Sequence, residues 1–170
     1  YVFSTPGRTE IGGNHTDHNA GRVLAAGVSL DAIAVVTGSS DNVITVYSEG
    51  YPEPFTVRLD NLSPVKEEEG TTNALIRGIA SRIKELGYKI GGFNAYITSD
   101  VLGGSGLSSS ACIEVLLGNI INHLYNEGKI DGILLARIGQ YAENVYFNKP
   151  CGLMDQFACA IVGFVTIDFK

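Results

Sequence analysis

The period of apolar and polar positions along the chain changes more than once. Residues 23–29 and 31–37 are nearly continuous apolar runs. Residues 42–47 then alternate through Val43, Thr45 and Tyr47, and 54–59 through Phe55, Val57 and Leu59, which predicts strands. The turn-forming stretches 38–42 and 49–52 separate them, and such short connections predict antiparallel meander pairing. The polar stretch 64–70 reads as a solvated loop or the first turn of a helix. Leu75, Ile76, Ile79, Ala80, Ile83 and Leu86 recur at helical spacing, with Gly87 placed as a C-terminal cap. Residues 93–97 alternate as a strand, 100–107 form a loop, and a helix runs from about 108 to 125. After a break at Gly128, Asp131 caps a helix reaching about 147; residues 153–161 are helical and 164–169 a final strand. Strands followed by helices predict an α+β fold, with no internal repeat, low-complexity segment or linker.

Composition narrows the function classes. The chain has 170 residues, 45% hydrophobic and 18% charged, which is enough for one domain with a real core. Its net charge of −6 excludes the basic face of a general nucleic-acid binder. No apolar run approaches the ~20 residues of a membrane span, so no membrane partner is expected. Cys112, Cys151 and Cys159 form no C-x-x-C pair and no secretory leader opens the chain, which predicts a reducing cytoplasm. A start at Tyr1 and an end in an apolar, strand-like run predict a piece of something longer.

Three clusters carry chemistry. In the first, Leu102-Gly103-Gly104-Ser105-Gly106-Leu107-Ser108-Ser109-Ser110-Ala111 follows a strand and opens a helix. Glycines let backbone N–H groups converge on one point, and a helix start adds unpaired donors and a positive dipole end. The result is a concave anion site suited to phosphate, with serine hydroxyls able to reach phosphate oxygens or Mg²⁺. It is neither a Walker A loop nor G-x-G-x-x-G. The alternative is a flexible loop with a serine cap.

The second cluster, residues 7–21, reads as a long loop dense in hydrogen-bonding side chains, where a polar ligand would sit. Arg8 offers a fixed fork for carboxylate or phosphate, and Asn14, His15 and Asp17 suit sugar hydroxyls. A zinc site from His15, Asp17 and His18, or a plain turn loop, are the alternatives. His123, alone on a helix, reads as structural. In the third cluster, Asp155 follows a Pro150-Cys151-Gly152 turn at a helix start, where it could cap the helix or act as a general base kept ionised by an arginine. Glu143 could complete a shell of oxygen ligands around Mg²⁺.

In this order and at these distances, the clusters resemble the N-terminal part of galactokinases, within the GHMP kinase superfamily of galacto-, homoserine, mevalonate and phosphomevalonate kinases. The family's Gly-Arg followed by Gly-Glu-His-Thr-Asp-Tyr-Asn reads here as Gly7-Arg8 and then Gly13-Asn14-His15-Thr16-Asp17-His18-Asn19. The triple-serine loop is present, and Pro-Cys-Gly-Ile-Met-Asp-Gln reads 150–156 with Leu153 in place of Ile. The resemblance implies a mixed, largely antiparallel sheet with helices on one face, of the ribosomal-protein-S5-like type. It implies ATP-dependent phosphorylation of the anomeric hydroxyl of galactose to galactose 1-phosphate. Asp155 would accept the hydroxyl proton, and Arg8 would hold Asp155 ionised and stabilise the transferring phosphoryl. Asn14, His15, Asp17 and the backbone of Gly152 would hold the sugar, Gly103 to Ser110 would wrap ATP, and Ser110 and Glu143 would hold Mg²⁺.

The expected organisation is one N-terminal domain over 1–170, with a sugar segment at about 1–30, an ATP loop at about 100–112 and the family's C-terminal domain absent. Asn14 replaces the family's Glu at a sugar-contacting position, and His18 its Tyr. Another sugar 1-kinase, for N-acetylgalactosamine or arabinose, is therefore the first alternative, and a non-catalytic galactose- and ATP-responsive regulator the second.

Overall fold

The structure is a computed structural model and describes residues 1–13 and 21–169. Two long antiparallel strands open it, β1 (Val2–Gly12) and β2 (Arg22–Ser39). They pair from Val2 opposite Val35 to Gly12 opposite Leu24, with register shifts between Pro6 and Arg8 and between Glu10 and Gly12. Residues 7–12, expected as loop, are therefore strand. The polar side chains that suggested a loop sit on a strand whose ladder is completed by long-range pairing, and the irregularity after Pro6 re-aims Arg8. The two runs expected at 23–29 and 31–37 are one continuous strand.

β3 (Val43–Ser48) and β4 (Phe55–Arg58) form the expected antiparallel hairpin. The meander stops there, because β3 does not pair with β2. Instead β5 (Gly92–Ser99) inserts between them, antiparallel to β2 and parallel to β3. The sheet order is β1-β2-β5-β3-β4, and β6 (Phe164–Asp168) pairs with residues 22–26 of β2.

Among the described residues, α1 (Thr72–Glu85), α2 (Ser109–Asn126) and α4 (Met154–Ala160) pack on one face of the sheet, and α3 (Gly132–Tyr141) packs against these helices. The period of two decides which side chains meet them. Ala32, Ala34, Val36, Ile44, Val46, Phe93, Ala95 and Ile97 are buried under the helices, while Ile33, Val35, Tyr47 and Tyr96 lie exposed on the other face. Helix ends follow local chemistry. Asp131 Oδ1 accepts from the Leu134 N–H at 2.8 Å, and Gly87 ends α1 with φ +86°.

The helix expected over 131–147 changes character at Tyr141 and widens into a single π turn, Ala142–Tyr146. α1 packs backbone to backbone against that turn. A Cβ on Gly78 would stand 2.9 Å from Ala142 Cα and from the Tyr146 ring. The polar stretch after β4 forms one 3-10 turn, Lys66–Glu68. Arg77 clamps it, with Nε and Nη2 each 2.7 Å from Glu68 oxygens and Nη1 donating to the Asn61 carbonyl. Among the described residues no helix is long and apolar enough to cross a membrane.

Candidate active site

Arg8 is the hub. Its strand β1 runs close beside the loop that precedes α2, so close that a Cβ on Gly7 would meet Leu107 O at 3.1 Å and Val101 Cγ1 at 3.0 Å. Glycine at position 7 permits this approach, and the Arg8 N–H then donates to Leu107 O at 3.1 Å. The Arg8 side chain donates from Nη1 to Gly106 O at 2.9 Å and from Nε to Asp155 Oδ1 at 2.7 Å. A nearly buried guanidinium thus ties a carboxylate at the start of α4 to the glycine-rich loop. Asp155 accepts a second bond on Oδ2 from Ser108 Oγ at 2.6 Å, and its side chain stays 36% exposed.

Gly104 and Gly106 both hold φ +78°, with open space where a Cβ would stand. The N–H groups of the first turn of α2, an 18-residue helix, point toward this loop mouth with the positive end of its dipole. On the same turn, Ser110 Oγ donates to Glu143 Oε1 at 3.2 Å. Glu143 lies on the π turn, 2% exposed, with Lys149 Nζ 3.5 Å from the same oxygen. A buried carboxylate and a hydroxyl are hard oxygen donors, a set that suits Mg²⁺ completed by phosphate oxygens and water.

Two residues were not singled out in the sequence. Gln156 Nε2 donates to Glu143 Oε2 and to Glu114 Oε2, both at 3.0 Å. Burial first, and then the charge of Glu143, pushes the Glu114 carboxyl well above the ordinary carboxylate range. A signal for Glu114 was available. It is the only acidic residue of α2, four positions after Ser110 and so on the same helix face.

The Pro150-Cys151-Gly152 turn is fixed from α3 and the π turn. Gln140 Nε2 donates to Cys151 O at 3.1 Å, and the Cys151 N–H to Asn144 Oδ1 at 2.8 Å. This sets Gly152 and the start of α4 beside the loop. The thiols are free, and burial pushes all three up, Cys112 to about 11, which suits packing rather than thiolate chemistry. His123 packs edge-on against Tyr1 and Phe3, with ring centroids 5.0 and 5.4 Å away. Asn14, His15, Asp17 and His18 lie outside the described residues. Of the other expected site residues, the structure joins Arg8 to Asp155 and Gly106, and Ser110 to Glu143, around one loop.

Comparisons with known proteins place the chain in a family. The GHMP kinases N terminal domain matches residues 74–163, and the galactokinase galactose-binding signature matches residues 1–37. The chain belongs to the GHMP kinase family. It is 35% identical over 159 residues to a galactokinase of Clostridium tetani, covering 94% of this chain and 40% of that protein. A galactokinase of Pyrococcus furiosus is 38% identical over 157 residues, covering 92% of this chain and 43% of the relative. The chain thus spans about two fifths of the length of these relatives. The crystal structure of Lactococcus lactis galactokinase complexed with galactose superposes with a TM-score of 0.85 at 26% identity, over 99% of this chain and 47% of that one. A mevalonate kinase of Methanococcus jannaschii shares the fold, with a TM-score of 0.81 at 17% identity, over 99% of this chain and 53% of that one.

Proposed function

We propose that this chain forms the sugar- and nucleotide-binding part of a galactokinase, which transfers the γ-phosphoryl of ATP to the anomeric hydroxyl of galactose and gives galactose 1-phosphate. The observation that carries this reading is the Arg8–Asp155 pair, bonded directly to the glycine-rich loop at Gly106. A base and a phosphate cradle held as one unit suit phosphoryl transfer, where positioning and charge stabilisation supply most of the catalysis. The galactose-binding signature over residues 1–37 and the named galactokinase relatives support galactose as the sugar.

In this reading Asp155 takes the proton of the anomeric hydroxyl as that oxygen bonds to the γ-phosphorus and the bond to the β–γ bridging oxygen breaks. Arg8 keeps Asp155 ionised and faces the charge that develops on the transferring group. The backbone from Gly103 to Ser110 wraps the ATP phosphates. Asn14, His15, Asp17 and the Gly152 backbone hold the remaining sugar hydroxyls. Ser110 and Glu143 would hold Mg²⁺, which when bound neutralises charge on the phosphates. Residues 1–170 make up the N-terminal domain, with the sugar segment at about 1–30 and the ATP loop at about 100–112, and a second domain completes the cleft. Three free cysteines suit a protein that works in the cytoplasm.

Asn14, standing where the galactokinase motif has Glu, favours a second reading in which a related sugar is the substrate. A panel of galactose, N-acetylgalactosamine and arabinose with labelled ATP, on the full-length protein, separates the two. Preferential label transfer to galactose supports the first reading, and preference for another sugar supports the second. Sugar and ATP binding without any transfer supports a regulator instead.

A further inference from the structure

Ser108 joins the glycine-rich loop to α2 in an unusual way. Its backbone is left-handed, φ 57° and ψ 58°, a region that a residue bearing a Cβ rarely enters. A serine at a helix N-cap ordinarily adopts extended backbone and accepts a bond from the second or third N–H of the helix. Ser108 does neither. It makes no capping bond, and its hydroxyl donates to Asp155 Oδ2 at 2.6 Å. A junction that needed only this backbone would be served by glycine, as at Gly104 and Gly106 a few positions earlier. The hydroxyl is what glycine lacks, and it is spent on the carboxylate.

Both oxygens of Asp155 therefore accept bonds from the described residues, and the two donors come from opposite ends of one assembly. Arg8 Nε holds Oδ1 and Ser108 Oγ holds Oδ2, while Arg8 also grips the loop at Gly106 O. A carboxylate fixed at one oxygen can still pivot about that bond. Fixed at both, its plane is set, and it is set by the loop that would carry the phosphates.

We propose that Ser108 is a positioning residue for Asp155, whose left-handed backbone turns the hydroxyl away from the helix cap and onto Oδ2. This deepens the kinase reading above and rests on it. It assigns the Ser108 hydroxyl to the base rather than to the nucleotide.

The test is the kinetics and melting of the full-length protein with galactose and ATP, comparing wild type, Ser108→Gly and Ser108→Ala. Glycine relieves the backbone strain and alanine keeps it, so the melting temperature should rise or hold in the first and fall in the second. Both variants should nevertheless lose kcat by a similar factor, roughly 10- to 100-fold, the worth of a hydrogen bond to a charged group. The KM for ATP should stay within about twofold, as expected when only the transition state loses stabilisation. A raised KM for ATP with kcat preserved would return the hydroxyl to the phosphates and overturn the proposal. Wild-type kcat in Ser108→Gly, or losses that follow melting temperature across the two variants, overturn it as well. A wild-type protein that phosphorylates no sugar overturns the kinase reading and this inference with it, whereas an active wild type with an unimpaired Ser108→Gly removes this inference alone.

Discussion

Arg8 and Asp155, 147 positions apart in the chain, meet with Nε 2.7 Å from Oδ1. The first stands on a strand at one edge of β2, and the second on the first turn of the last helix. Only the completed fold brings them together, and it does so beside the loop where α2 begins. The pair therefore reports on both the fold and the proposed chemistry.

Replacing Asp155 with Asn keeps the size of the side chain but removes the acceptor of a proton. In the full-length protein, Asp155→Asn should lower turnover by about 10²–10⁴, the usual worth of acid–base assistance, while sugar and ATP binding change little. Steady-state kinetics beside calorimetric binding would check this. Unchanged turnover would make Asp155 a structural partner of Arg8.

Local pattern made most helices legible. Asp131 capped where a cap was expected, and Gly87 ended α1. The loop 100–107 and the serine-led helix were equally readable, because glycine and serine act through local backbone chemistry. What failed depended on distant pairing. β1 carries Arg8, Thr9 and Glu10 and looked like loop, since nothing local shows that β2 will complete its ladder. The insertion of β5 between β2 and β3 is likewise a long-range event. In the site, the residue types were readable but not their bonds. Ser108 was grouped with the phosphate loop, and its bond to Asp155 depends on a left-handed backbone that no spacing announces.

The Arg77–Glu68 clamp is nearly buried, with side chains 10% and 18% exposed. Removing one partner leaves a desolvated charge behind. Glu68→Ala should therefore destabilise the protein by on the order of 3 kcal/mol, read as a lower urea midpoint. A midpoint within error of wild type would mean that solvent already reaches the Arg77 guanidinium.

Glu114 gives a pH signature. Its folded-state carboxyl is raised by burial and by Glu143, so as pH climbs past the ordinary carboxylate range the unfolded chain ionises first. The folded state then binds more protons, and the contribution of Glu114 to stability falls as pH rises. Glu114→Gln removes this term. Relative to wild type, its urea midpoint in metal-free buffer should improve as the pH rises above the ordinary carboxylate range. Parallel curves for the two proteins would contradict the assignment.

Gly13 lies within the candidate sugar segment with φ +116°, and a Cβ there would stand 2.5 Å from Arg22 O. Gly13→Ala must shift backbone as well as adopt a strained conformation. The expected outcome is a lower melting temperature and a KM for galactose raised at least about 10-fold, since the segment's anchor moves. An unaltered KM would detach residue 13 from the sugar site.

The central claim is that the base at Asp155 and the loop at Gly106 form one phosphoryl-transfer site acting on the anomeric oxygen of galactose. The most direct measurement is phosphorus NMR of the full-length protein turning over ATP and galactose, with Asp155→Asn in parallel. The account predicts an anomeric sugar phosphate from the wild type and almost none from the variant over the same period. Phosphate on a different hydroxyl, no sugar phosphate from the wild type, or equal product from both proteins would contradict it.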